Sequence, residues 1–166
     1  MMKFFKIAGV LASVALISAC ASGPGVTEGP TGPTTTSTGP TGPVPGSQAD
    51  LENSAGHRVF FAYNAYTLSA EAQGTLARQA AWLKEYPETR ILLAGNCDER
   101  GTREYNLALG ARRAEAARAY LVSLGVDGSR ITTVSYGKER PIDARSVEAA
   151  WSVNRNATTT ITSAGA

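Results

Sequence analysis

Residues 90–125 read RILLAGNCDERGTREYNLALGARRAEAARAYLVSLG, and three backbone patterns follow one another along them. Arg90–Ala94 is an aliphatic run of strand length. Asp98–Arg103 is polar and turns about Gly101. From about Glu104 to Leu124 the chain is rich in Ala and Arg, both good helix formers, and Gly125 ends the run.

The flanking sequence extends this strand–loop–helix unit on both sides. His57–Phe61 (HRVFF) predicts a strand. Ser69 is a good N-cap, with Glu71 in the first turn behind it. Ala72, Leu76, Ala80 and Leu83 then recur at helical spacing until Pro87 stops the helix. Beyond the long helix, Arg130–Tyr136 (RITTVSY) predicts a third strand and Gly137–Ser146 a loop. Val147–Val153 predicts a short helix, and the β-branched run Ala157–Thr162 a closing strand. The order β-α-β-α-β-(α)-β predicts an α/β sandwich with helices packed on a mixed four-stranded sheet. Residues 50–166 are the expected domain, about 115 residues, an ordinary single-domain size.

Asn106, Gly110 and Arg113 stand at i, i+4 and i+7 of the long helix and therefore share one face. A glycine between two polar residues is unfavourable by ~1 kcal/mol relative to Ala. It makes sense where a backbone or a ligand comes close. Asp98 sits where the second strand leaves the sheet, a usual place for ligand loops. Arg113 carries a planar fork suited to a carboxylate.

The chain upstream of residue 50 is of another kind. Residues 1–19 combine Lys3 and Lys6 with an apolar run from Ile7 to Ile17, too short to span a bilayer comfortably, and read as a signal peptide. Ile17-Ser18-Ala19-Cys20 resembles a bacterial lipobox. That resemblance implies cleavage before Cys20 and a covalent lipid on it, and Ala21 after it favours the outer membrane. Two or more acyl chains anchor stably where a single chain does not. Residues 20–47 hold seven of the 17 glycines and six of the eight prolines, no aromatic residue and one charge, Glu28. This composition predicts a disordered tether behind the lipidated cysteine.

Of the 166 residues, 18% are charged and 43% hydrophobic, with a net charge of +2. Those figures exclude a wholly disordered chain and a strongly basic nucleic-acid binder. Loss of residues 1–19 would remove Lys3 and Lys6 and leave as many basic as acidic residues, 14 of each. Recognition by the remaining chain has to come from a few placed charges. Two Cys and one His are too few for a disulfide scaffold or a His-rich metal site. His57 and Cys97 have no third orienting group in the sequence, and Asp98 and Glu99 are adjacent, so their side chains diverge. No glycine-rich phosphate motif or metal-ligand cluster stands out. The expectation is a protein that is not an enzyme and uses no cofactor or metal. Cys97 reads as a small buried residue.

Gly95–Leu109 (GNCDERGTREYNLAL) and Val134–Pro141 (VSYGKERP) resemble the OmpA-like peptidoglycan-binding domain family. Arg112-Arg113-Ala114, Tyr120-Leu121 and Asn154-Arg155 extend the likeness over 57–162. The resemblance implies that Asp98 and Arg113 receive the ammonium and carboxylate of diaminopimelate in the peptidoglycan stem peptide. It implies that Asn106 braces the loop. Asn96, Cys97 and Gly110 belong to the same motifs. Ala62–Tyr66 resembles the family's second ligand loop, which brings in Tyr63 and Asn64; the tyrosines Tyr63 and Tyr66 fit either the stem peptide or the sheet. The chain departs from the family pattern in four ways. Ala62 and Asn64 replace acids, Asn96 replaces a His, Cys97 takes a small-residue position, and Asn156 replaces an Arg.

The function so implied is an outer-membrane lipoprotein, its domain facing the periplasm, that binds peptidoglycan non-covalently within the Tol-Pal system. TolB is the implied protein partner, and nucleic acid is not expected. The alternative is mainly an interaction module for Tol proteins, with minor wall binding. Cys20→Ala should give an unprocessed or soluble product on membrane fractionation; a variant that still partitions fully into membranes would reject the lipid anchor.

Overall fold

The computed structural model describes residues 42–163. The expected signal peptide, the lipidation site Cys20 and most of the expected tether lie outside the described residues. Four helices, α1 (Gln48–Ser54), α2 (Ala70–Glu85), α3 (Arg103–Ser123) and α4 (Glu148–Asn154), accompany four strands, β1 (Arg58–Phe60), β2 (Arg90–Asn96), β3 (Ile131–Gly137) and β4 (Asn156–Ser163). The strand order is β1-β4-β2-β3. β2 and β3 run parallel, while β4 is antiparallel to both β1 and β2. The sheet is thus mixed and four-stranded, as the element order predicts.

Local signals act as the sequence implies. The Ser69 hydroxyl accepts from the Ala72 amide at the start of α2; the Thr102 hydroxyl, in the expected polar loop, accepts from the Tyr105 amide and starts α3 at Arg103, one residue before the expected Glu104. α2 stops at Glu85, two residues before Pro87. Gly125, with φ +90°, closes α3: its N–H donates to Val122 and the Val126 N–H to Leu121.

α1 has no counterpart in the sequence reading, because seven residues are too few to show a helical period. Regular structure consequently begins at Gln48, two residues before the expected start. Residues 46 and 47, expected in the tether, belong to this helix's entry. The Ser47 hydroxyl caps it, and the Gly46 amide donates to the Asp50 carboxylate at 2.9 Å. Trp82 Nε1 donates to the same carboxylate at 3.0 Å, which fixes α1 to α2.

One side of the sheet carries the core, built from Val59, Ile91, Leu93, Ile131 and Ala157 against Leu76, Leu83, Ala114, Ala117 and Leu121. The buried face of α3 is Asn106, Leu109, Gly110, Arg113, Ala114, Ala117 and Leu121. Its C-terminal half is apolar and packs as an ordinary helix face. Its N-terminal half buries Asn106 and Arg113 instead. The change happens where Gly110 meets Gly95 of β2. A Cβ on Gly95 would overlap the Gly110 carbonyl, and one on Gly110 would meet Ser135 Oγ and lie 2.8 Å from the Gly95 carbonyl oxygen. The close approach inferred for Gly110 is therefore made by sheet backbone, and it brings α3 down onto the end of β2.

Gly95→Ala should lower unfolding stability by about 2–3 kcal/mol, because both clashing partners are backbone. Gly74→Ala, in α2 with nothing nearer than Arg78 at 3.9 Å, should raise it by about 0.5–1 kcal/mol. Chemical denaturation of the two variants checks the pair.

Candidate functional site

β2, α3 and the 62–66 loop meet around a small cavity of about 60 Å³. Tyr63 and Asn64 wall it from the 62–66 loop, Cys97, Asp98 and Arg100 from the end of β2, and Asn106 and Arg113 from α3. Six of the predicted site residues therefore converge here: Asp98, Arg113, Asn106, Tyr63, Asn64 and Cys97. Asn96 and Gly110 do not line the cavity. Gly110 packs on Gly95, and the Asn96 amide donates to Asn156 Oδ1 at 2.8 Å and to the Ala94 carbonyl at 3.2 Å. The Asn156 amide in turn donates to Val153 at 2.7 Å, holding the turn from α4 into β4. Two positions that depart from the family pattern, 96 and 156, thus bond to each other.

The loop after β2 is held from two sides. Asn106 Nδ2 donates to the carbonyls of Arg100 at 2.8 Å and Thr102 at 3.1 Å, so it braces the loop as the resemblance implies. Lys138 Nζ donates to the Glu99 and Gly101 carbonyls at 3.1 and 2.7 Å. The two motifs of the sequence, Gly95–Leu109 and Val134–Pro141, meet at this loop.

Arg113 is fully buried, and its fork is not free for a carboxylate. Nε donates to the Ala65 carbonyl at 2.8 Å, Nη1 to Asn96 at 2.7 Å and Nη2 to Ala62 at 3.2 Å. The expectation of an open bidentate fork is corrected by this: the guanidinium positions loop 62–65 and the end of β2, and lies beneath the cavity as a buried positive charge. Burial pushes its proton affinity below the ordinary arginine value, with the neighbouring Cys97 and Asp98 acting the other way. Cys97 is buried beside it, its thiol 3.5 Å from Arg113 Nη1 and 3.4 Å from the Asn106 carbonyl. Burial raises the thiol pKa, so it remains protonated.

Asp98 is 4% exposed and makes no direct bond to Arg113. Oδ1 accepts from the Arg100 amide at 3.1 Å and from Arg100 Nε at 3.2 Å. Oδ2 accepts from Arg100 Nη2 at 2.7 Å and Arg155 Nη1 at 3.3 Å. Glu148 of α4 closes a ring of alternating charge, 2.9 Å from Arg155 and 3.7 Å from Arg100. Burial alone would raise the Asp98 pKa, but these hydrogen bonds prevail and hold it below the usual carboxylate value. Glu99 turns away, accepting from Trp151 Nε1 at 3.0 Å. The Arg100 guanidinium lies 4.2 Å from the Tyr63 ring centre and 4.1 Å from that of Trp151.

The sequence reading missed Arg100, Arg155, Glu148, Trp151 and Tyr105. Arg100 stands inside the quoted motif, yet only the fold shows that it grips Asp98. Arg155 and Trp151 come from residues more than 50 positions away. Tyr105, at the mouth of the cavity, bonds through its hydroxyl to Asn64 Oδ1. Tyr63 is exposed on this rim, while Tyr66, also exposed, lies outside the cavity lining with Arg112 5.8 Å from its ring centre.

The depressed Asp98 pKa fixes the sign of a pH effect. The stabilisation is complete above the carboxylate's unfolded value and is lost as pH falls through the lower folded value. Asp98→Asn should therefore cost about 2 kcal/mol at neutral pH, and its deficit against wild type should shrink as pH drops from about 5 towards 2. Thermal melts across that range check this; a constant deficit would contradict it.

Among the described residues there is no cluster of His, Cys, Asp and Glu able to hold a metal, and no helix long and apolar enough to cross a membrane. The OmpA family model matches residues 60–155, which hold most of the site. A peptidoglycan-associated lipoprotein of Mesorhizobium japonicum is 54% identical over 121 residues, covering 73% of this chain and 72% of that protein. One from Haemophilus influenzae is 41% identical over 157 residues, covering 95% and 97%. The crystal structure of the peptidoglycan-associated lipoprotein from Burkholderia pseudomallei superposes with a TM-score of 0.62 at 44% identity, covering 63% of this chain and 89% of that one. The C-terminal domain of Helicobacter pylori MotB shares the fold alone, with a TM-score of 0.60 at 19% identity, covering 63% and 82%. With its four-stranded mixed sheet, its paired motifs about one cavity and these relatives, the chain belongs to the OmpA family and, within it, to the peptidoglycan-associated lipoproteins.

Proposed function

We propose that this chain is an outer-membrane lipoprotein, anchored by lipid on Cys20, that binds the peptidoglycan stem peptide non-covalently at its diaminopimelate residue. The observation that carries the reading is the cavity itself. Its wall sets the Asp98 carboxylate near the buried charge of Arg113. A diaminopimelate side chain ends in an ammonium and a carboxylate on one carbon; Asp98 suits the ammonium, and the buried Arg113 charge favours the carboxylate through its field, its fork being spent on backbone carbonyls. Binding and holding are the roles open to these groups. Cys97 is a buried thiol, His57 lies 3.7 Å from Glu52, and Asp98 is neutralised by two arginines, so the reading involves no catalysis.

The same rim supports a second role. Tyr63 and Tyr105 line the cavity and are exposed, and aromatic side chains of this kind are favoured at protein interfaces. The second role is contact with Tol proteins, TolB in particular, as part of the Tol-Pal system that supports envelope integrity and division.

The test is co-sedimentation of the full chain, in detergent, with purified sacculi. Asp98→Ala should lose at least tenfold in affinity, about 1.4 kcal/mol or more. Tyr63→Ala should weaken binding less. Wild-type retention by the Asp98 variant would refute the pocket. Added TolB should release the chain if both use the rim, and should leave it bound if wall binding stands apart.

A further inference from the structure

The Asp98 carboxylate is already occupied. Both oxygens are taken by Arg100 through Nε and Nη2, and only 4% of the residue is exposed. No ammonium can reach it unless one arginine gives way. The two arginines are not equivalent. The Arg155 side chain is 9% exposed and is also tied to the Phe61 carbonyl at 3.1 Å and to Glu148 at 2.9 Å. Arg100 is 30% exposed, and its side chain has a second acid within 3.7 Å, Glu148. Its backbone is pinned, since the Arg100 carbonyl accepts from Asn106 at 2.8 Å. Its departure therefore needs a change of side-chain rotamer and no movement of the loop.

We propose that Arg100 is a built-in competitor for the ligand's cation, holding Asp98 and the slot between Tyr63 and Trp151 until a primary ammonium replaces it and Arg100 swings to Glu148. The inference rests on the binding reading above and names what that site selects. The slot has aromatic faces at 4.2 and 4.1 Å from the guanidinium carbon, walls that favour a positive charge over a neutral group. One cation leaves as another enters, so neutral and anionic head groups cannot make the exchange. The free protein avoids an unpaired buried carboxylate, and the site discriminates by charge. Its apparent affinity is reduced by the fraction of molecules in which Arg100 is in place.

The experiment titrates the full chain in detergent with the tripeptide L-Ala-γ-D-Glu-meso-diaminopimelate and with its form acetylated on the side-chain amine. Arg100→Gln should bind the free tripeptide about tenfold more tightly than wild type, which corresponds to a wild-type site about nine-tenths occupied by Arg100. Its affinity should also fall more steeply with salt, because the ligand then meets an uncompensated charge. Arg100→Lys, which keeps a competing cation, should stay near wild type. In wild type, the Arg100 Nε proton should exchange slowly when free and quickly when the tripeptide saturates the site, a readout that needs no variant. Equal or weaker binding by Arg100→Gln, or a guanidinium that stays protected in the complex, overturns the proposal while leaving the pocket reading intact. Full binding by Asp98→Ala, or by the acetylated peptide, overturns both.

Discussion

A guanidinium sealed from solvent has to find its partners inside the protein, and Arg113 finds three of them on two separate stretches of chain. Its donors reach the carbonyls of Ala62, Ala65 and Asn96 from a helix that begins after all of them in sequence. Asn96 ends β2, and Ala62 and Ala65 lie in the loop after β1, so the arginine ties the end of the sheet to that loop. Removing it would take a buried donor from the Asn96 carbonyl and leave the 62–66 loop held mainly by the Tyr105–Asn64 bond. The arrangement also depends on Gly95 and Gly110: without their contact α3 would stand further from β2, and Arg113 could not reach the Asn96 carbonyl.

Above that fixed cation sits a second, more exposed layer of charge. Asp98, Arg100, Glu148 and Arg155 alternate in sign and sum to zero. Buried or half-buried ion pairs gain little net stability over apolar packing, because desolvation offsets attraction. Such a ring is better understood as a means of keeping Asp98 ionised in a nearly closed site.

Much of this organisation is legible in the primary structure. The capping residue Ser69, the stop at Pro87 and Gly125 at the end of α3 act over three or four residues, and local rules find them. The i, i+4, i+7 placement of Asn106, Gly110 and Arg113 correctly puts all three on one buried face. The shape of the site was less accessible. The fork of Arg113 reads as open because nothing in the sequence says that Ala62, Ala65 and Asn96 will offer it their carbonyls. Asn96 and Asn156 look like two unrelated departures from a pattern until β2 and β4 are paired and their side chains meet.

By itself the sequence determined the order of the elements from β1 to β4, the class of the domain and the place of Asp98 in the loop that leaves the second strand. These follow from periodicity, turn chemistry and motif, all of which are short-range. Only the tertiary structure decided which charges face one another. It made Arg113 a buried brace, set Arg100 on Asp98, and brought Trp151, Glu148 and Arg155 from about 50 residues away to finish the site. The physical reason is that hydrogen bonds and ion pairs depend on distances of about 3 Å between atoms, and those distances are set by how α3 and α4 seat on the sheet, which no local pattern encodes.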